Sequence, residues 1–180
     1  KDIVFASDEN IGFIEIDNRH VQNISNWKFG DEYSGFIVGV GKVNIKKILV
    51  EKALEAGLKP YPTIVHPRAY VQDADLGKGG IICPGVMMTT NIKIGDYVIV
   101  NLNCTVGHDS IIQKYSTINP GVNISGKVNI GEMTTIGTGS VIREGILVGD
   151  NIVVGAQAAV VKHANVNGGL YVGLPANLKN

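Results

Sequence analysis

From Ile64 onward, aliphatic residues return at every sixth position. Steps of six from Ile64 pass through Tyr70, Leu76, Ile82, Met88, Ile94, Val100, Val106 and Ile112, and continue through Ile118 and Ile136 to Val160; only Tyr70 is not aliphatic. The next position is often glycine (Gly77, Gly95, Gly107, Gly131, Gly137, Gly149, Gly155), and the fourth is often small (Ala74, Cys104, Ser110, Ser116, Ser140, Ala158). A fixed repeat outranks local propensity. A six-residue period fits neither the 3.6-residue helix nor a long two-residue alternation, so each hexad predicts a short strand followed by a corner. Stacked hexads form a parallel β-helix. The aliphatic and small side chains point inward, and glycine permits close backbone approach at the corners. An antiparallel sandwich of short strands would instead show turn signals at about 8–12 residues, with drift. The register is expected to run unbroken over 64–160, with no loop extruded.

Residues 1–62 lack the period. A short apolar strand at Ile3–Phe5, a strand-like Phe36–Val40 and a helix from about Val43 to Ala56 predict a small α/β unit. On that helix Ile45, Ile48 and Leu49 stand against Lys46, Lys47, Glu51 and Lys52, and Gly57 occupies a C-cap position. Tyr61-Pro62 begins the link, so the expected division is a small α/β domain over 1–62 and the coil over 63–180.

A chain of 180 residues suits one domain or two small ones. Its 23 glycines are nearly twice the usual share of about 7%, an excess the corners account for. Sixteen Lys+Arg balance sixteen Asp+Glu, which removes any whole-chain attraction to nucleic acid or an acidic membrane. No apolar run approaches the roughly 18 residues of a membrane span, and the first residues lack a basic start followed by an apolar stretch. A cytoplasmic protein without a membrane span is therefore expected. Cys83 and Cys104 are too few for a disulfide scaffold and match no metal-ligand spacing, so buried reduced thiols are expected and no metal site.

Three hexads close one triangular turn, so residues three hexads apart stack at about 4.8 Å. One corner column reads Gln72, Thr90, His108, Gly126, Glu144, Lys162; a second reads His66, Pro84, Leu102, Pro120, Thr138, Ala156; the third reads Lys78, Asp96, Lys114, Glu132, Asp150. The third is a solvated charge ladder, and the second is apolar enough to meet a neighbouring chain. The first holds His108, projecting outward from a corner with Asp109 beside it. Imidazole is the natural base near neutral pH, and a carboxylate orienting one ring nitrogen leaves the other free to take a proton. Gly126, one coil up, offers a backbone N–H with no side chain in the way, as an oxyanion donor requires. Asn101 and Asn103 fit either a hydrogen-bond ladder along the coil or the ordering of the His108 site. Lys162, at the top of the column, is either solvated or a phosphate contact. His66 is expected to cap backbone at the coil entrance, with His20 and His163 exposed.

At these residues the chain resembles the left-handed β-helix (hexapeptide-repeat) sugar acetyltransferases, in particular the sialic acid O-acetyltransferases and UDP-4-amino-sugar N-acetyltransferases. The resemblance covers about 64–176 and rests on His66-Pro67, Val100-Asn101, His108-Asp109, Pro120-Gly121, Ser125-Gly126 and Val172-Gly173-Leu174-Pro175-Ala176. It implies a left-handed coil, where the general crossover rule alone favours right-handed. It also implies a homotrimer, with acetyl-CoA as acyl donor in a groove between two coils. His108 with Asp109 becomes the catalytic pair, and Gly126, Gly137, Gly155, Ala156 and Lys162 the donor-binding residues. The acceptor implied is a nucleotide-activated amino sugar for surface-glycan synthesis, with Asp8, Glu9, Asn101 and Asn103 as its contacts. O-acetylation of a sialic-acid-like sugar and a non-catalytic β-helix binding module are the alternatives. A hexapeptide-repeat carbonic anhydrase needs three histidines on zinc, whereas His66, His108 and His163 fall on different columns or levels.

Family members usually begin with a nucleotide-binding α/β domain that opens on a glycine-rich loop. Here Ser7-Asp8-Glu9 looks like that domain's acidic segment and Val38-Gly39-Val40-Gly41 like a later strand end, so the chain is expected to carry an incomplete form of it. Thr117 stands where many members have a second histidine.

Overall fold

In a computed structural model of the chain, the described residues are 35–179 together with three short strands, Phe5–Ser7, Glu15–Ile16 and Arg19–Asn23. The first of these strands pairs in parallel with the third, and the second pairs antiparallel with it. The stretch expected to form a strand at Phe36–Val40 instead makes one isolated bridge, Phe36 to Pro60. The Phe36 N–H donates to Lys59 O, and Tyr61 N–H donates back to Phe36 O. Pro60 and Pro62 have no N–H with which to carry a ladder further.

The helix spans Val43–Glu55 and ends where expected, with Gly57 at φ +84° and its N–H on Leu54 O. Of the apolar residues the pattern suggested, Leu49 packs, partly buried, but Ile45 and Ile48 do not. Lys46, Val50 and Ala53 are buried, while Ile45 and Ile48 are 40% and 49% exposed. Lys46 is accommodated because its ammonium donates to Ser116 O at 3.1 Å and to Thr117 Oγ1 at 2.8 Å on the coil wall. Its methylene stem supplies apolar contact, as long cationic side chains do. Burial pushes this ammonium down to about 7. Beside it Val50 packs with Val38 and Tyr97, and the Tyr97 ring stacks on Tyr115 at 5.1 Å and on Phe36 at 6.4 Å.

From Ile64 the chain winds as a parallel β-solenoid whose strands of two or three residues fall into sheets of eight, six and five. Pairing three hexads apart is regular through the middle: Val100 on Ile118, Val106 on Ile124, Ile112 on Ile130. The inward column of Ile118, Ile124, Ile130, Ile136 and Ile142 forms one continuous core with the small or apolar residues four places on. Among the latter, Ser110, Ser116 and Ser140 are fully buried, each with its hydroxyl on a backbone carbonyl. Cys104 is also inward and buried, its thiol pushed up to about 11 by desolvation. Cys83 is only half-buried, because it follows the inward Ile82 and so lies on the wall.

The expected unbroken register fails in the first turn. Val65 pairs with Ile82 and Val71 with Met88, so Val65 and Val71 take the places predicted for Ile64 and Tyr70, which are 47% and 55% exposed. A five-residue step from Val71 to Leu76 restores the frame, with Leu76 on Ile94. The slip leaves the Tyr70 ring outside, its hydroxyl donating to Gln72 Oε1 at 3.0 Å. It also moves Pro67, not His66, beneath Pro84, and Asp73, not Gln72, beneath Thr90.

At the corners, the third residue after the inward aliphatic adopts a left-handed backbone at every turn from Gly79 to Gln157, Asn91 (φ +53°) and Asp109 (φ +59°) included. Asparagine and aspartate tolerate this region better than most side chains. The glycines one place after the aliphatic serve a different purpose. A Cβ on Gly107 would lie 2.6 Å from Gly126 N in the coil above. Among the described residues, no helix is long and apolar enough to cross a membrane.

Candidate active site

The strand Thr105–Val106 ends at Gly107, His108 and Asp109 make the corner, and Ser110 turns the chain back into the core. This corner lies between the six-stranded and five-stranded sheets and is held from both neighbouring coils. The Asp109 N–H donates to Thr90 O below at 3.1 Å, and the Lys127 N–H above donates to His108 O at 2.7 Å. Both side chains remain exposed, at 47% and 44%.

His108 Nδ1 lies 2.8 Å from Asp109 Oδ2. Asp109 Oδ1 accepts a hydrogen bond from Asn91 Nδ2 at 2.6 Å. Bonds from the His108 ring first, and then from the Asn91 amide, hold the Asp109 carboxyl below the usual carboxylate range. An ionised Asp109 accepts from Nδ1–H, which assigns the proton of a neutral ring to Nδ1 and leaves the Nε2 lone pair free. The ring lies against Gly126. A Cβ at that position would stand 2.5 Å from His108 Nε2 and 2.7 Å from Cε1, so only glycine leaves the imidazole its place. The Gly126 N–H donates to no acceptor among the described residues. An exposed base with an undonated N–H one coil above is an arrangement that can deprotonate a nucleophile and stabilise a developing oxyanion.

The other sequence-assigned residues scatter. Gly137, Gly155 and Ala156 sit at the corner between the eight-stranded and six-stranded sheets, the opposite edge of the six-stranded wall from His108. A Cβ on Gly137 would meet Ala156 N at 2.5 Å, and one on Gly155 would meet Val172 Cγ1 at 2.8 Å, so both glycines also serve close coil stacking. Lys162 is exposed in the His108 column, three coils up, or roughly 14 Å at the strand spacing. Asn101 forms the ladder: its Nδ2 donates to Ile118 O at 3.2 Å, and Asn119 repeats the bond to Ile136 O at 3.0 Å. Asn103 is an exposed left-handed corner residue, on a different corner from His108. Asp8 and Glu9 lie outside the described residues. His66 Nδ1 caps the Arg68 N–H at 3.1 Å, and the exposed His163 caps the Leu147 N–H at 3.0 Å. Thr117 is buried beneath Lys46.

Two residues escaped the sequence reading. Asn91 was legible in principle, since it stands three hexads before Asp109, in the column one place beyond the corner columns compared. Lys46 carried no signal, being one lysine among several on a short helix.

No family model matches the chain. The GDP-perosamine N-acetyltransferase of Escherichia coli is 36% identical over 92 residues, 51% of this chain; the match spans 41% of that relative's length. The acetyltransferase domain of PglB from Neisseria gonorrhoeae is 30% identical, with a TM-score of 0.88, over 99% of this chain and 87% of that one. That domain has also been solved in complex with acetyl coenzyme A. PerB from Caulobacter crescentus, solved with CoA and GDP-perosamine, is 29% identical, with a TM-score of 0.78, over 82% of this chain and 70% of that one. Likeness at this level extends over nearly the whole chain, and the chain belongs to the hexapeptide-repeat, left-handed β-helix sugar acetyltransferases.

Proposed function

We propose that the chain transfers an acetyl group from acetyl-CoA to the amino group of a nucleotide-activated sugar, with His108 as general base. The observation that carries this reading is the His108 ring, bonded to Asp109 at 2.8 Å and seated against the side-chain-free Gly126 at an exposed corner. The solved relatives that hold acetyl-CoA, or CoA with GDP-perosamine, support both the donor and the acceptor class. Acetyl-CoA supplies the thioester carbonyl. His108 Nε2 takes the proton as the acceptor amine forms its bond to that carbon, and the Gly126 N–H stabilises the negative oxygen of the tetrahedral intermediate. His108 then returns the proton to the departing CoA sulfur as the C–S bond breaks. Asp109 holds the Nδ1 proton and favours the imidazolium that forms between the two steps.

The same reading makes the working enzyme a homotrimer. His108 and the proposed donor residues Gly137, Gly155 and Ala156 occupy opposite edges of one wall, so a groove that holds both draws on two protomers. Val141, Val153, Met87 and Leu147 leave apolar surface on the walls for such contacts. Closed symmetry would then create three equivalent grooves from one interface type. The remaining proposed contacts are Lys162 with donor phosphate, and Asp8 and Glu9, in a nucleotide-sugar-binding domain over 1–62, with the acceptor.

The test is acetyl-CoA turnover over a panel of amino sugars, hydroxy sugars and their nucleotide conjugates. Turnover confined to nucleotide-linked amino sugars is the expected result. Turnover on hydroxyl acceptors alone would replace N- with O-acetylation, and none on any acceptor would defeat the reading.

A further inference from the structure

The His108 corner is one end of a longer chain of hydrogen bonds running down the coil. Asp73 Oδ2 accepts from Thr90 Oγ1 at 2.7 Å and from the Asn91 N–H at 2.9 Å. Asn91 Nδ2 donates to Asp109 Oδ1 at 2.6 Å, and Asp109 Oδ2 meets His108 Nδ1 at 2.8 Å. Four consecutive coils, from Asp73 to the Gly126 that seats the ring, are thus linked along one corner. An exposed carboxylate beside a ring nitrogen has two rotatable bonds and water as a competitor, so Asp109 alone orients His108 loosely. A donor fixed on the opposite oxygen removes that freedom, and hydrogen bonds to charged acceptors are the stronger kind. Asn91 is suited to the task because its left-handed backbone is one asparagine adopts readily, and Asp73 pins its backbone N–H from below.

We infer that Asn91 is a positioning residue for the acetyl transfer proposed above: it fixes the Asp109 carboxylate from below, so that Asp109 holds the proton of the neutral His108 ring on Nδ1 and leaves Nε2 as the base. This rests on the assignment of His108 as base. Asn91 touches neither substrate nor the reacting nitrogen. The other charged groups at this point are Lys127, which favours the Asp109 carboxylate from the coil above, and Asp73, whose Oδ2 is bonded to Thr90 and Asn91.

The test uses glycine replacements, because Gly79, Gly85 and Gly121 already occupy the same hexad position with the same backbone sign. Asn91→Gly therefore removes the amide without disturbing the corner. It should lower kcat roughly fivefold to tenfold with KM for acetyl-CoA unchanged, about the effect of loosening one charge-assisted bond. In an Asp109→Gly background the same change should cost nothing further, since Asn91 acts only through Asp109. Nitrogen-15 shifts of the His108 ring should move from the Nδ1–H tautomer toward the Nε2–H tautomer in Asn91→Gly. An undiminished kcat in Asn91→Gly, or an equal loss in both backgrounds, overturns the inference. The ring shifts separate the two levels. If His108→Ala keeps full activity, the base assignment fails, yet a tautomer change in Asn91→Gly still supports Asn91 as the residue that orients the ring; an unchanged tautomer rejects it.

Discussion

At the corner that carries Asp96 and Asp150, two carboxylates reach down to cap backbone N–H groups. Asp96 Oδ1 accepts the Lys78 N–H at 2.7 Å and Asp150 Oδ1 accepts the Glu132 N–H at 2.8 Å, each from the coil below, while Lys114 and Glu132 pair at 3.4 Å. At the corner that carries His108 and Gly126 the hexad position and the backbone path are the same, but the coil above contributes no side chain. The His108 ring fills that space, the His108 backbone N–H gains no side-chain cap from Gly126, and the Gly126 N–H has no acceptor among the described residues. Glycine at this level gives an open edge where aspartate gives a capped one. The open edge forgoes a bond worth about 1 kcal/mol and gains a place for an imidazole beside a free donor.

Several substitutions would break or sharpen this contrast. Ile136→Asp should destroy both corners at once, because an unpaired carboxylate in the fully buried isoleucine column costs several kcal/mol of a total near 5–15. Loss of the strand signal in circular dichroism is the expected readout, and a folded variant would show that the column yields more than its packing suggests. Gly126→Ala should leave the coil folded, because its Cβ meets the movable end of a side chain, 2.5 Å from His108 Nε2. It should still lower acetyl transfer about 10²-fold by displacing the ring. Normal turnover in this variant would detach Gly126 from the site. Gly137→Ala is the counterpart, since its Cβ meets backbone at 2.5 Å and the backbone cannot swing aside. Thermal unfolding should report a loss of about 1–3 kcal/mol, the usual range for overpacking. Asp150→Ala should cost about 1 kcal/mol by freeing the Glu132 N–H, with acetyl transfer unchanged. A drop in activity there would mean that the two corners are coupled.

A separate effect, away from both corners, is a pH dependence at the helix. Lys46 falls from 10.5 to about 7 in the folded chain, so between these values the unfolded state holds a proton that the folded state has released. Stability therefore rises with pH through that window, and at pH 7 or below it carries the full cost of burying the charge. Lys46→Met should remove this slope. Chemical denaturation at pH 7 and pH 9 checks it, and equal slopes in the two proteins would place the proton elsewhere.

Much of this was legible in the sequence because the coil repeats. The inward isoleucines, the outward His108 and the glycine above it follow from counting by six, since stacked strands convert sequence separation into height. Counting failed in the first turn, where the frame slips by one residue and leaves both Ile64 and Tyr70 outside. On the helix, the hydrophobic pattern found Leu49 but not Lys46, because the wall beneath offers a carbonyl and a hydroxyl that a lysine satisfies and an isoleucine does not. Asn91 was hidden for a simpler reason: its partner is a side chain in a column one place beyond the corner columns compared.

The most direct measurement is the kcat of His108→Ala for acetyl transfer from acetyl-CoA to an accepted nucleotide-linked amino sugar, with circular dichroism confirming the coil. His108 is an exposed corner residue and contributes little to the core, so the fold should persist while kcat falls by at least about 10², the size of a lost general base. A kcat within about threefold of the unsubstituted enzyme, a difference of well under 1 kcal/mol, would remove His108 from the chemistry.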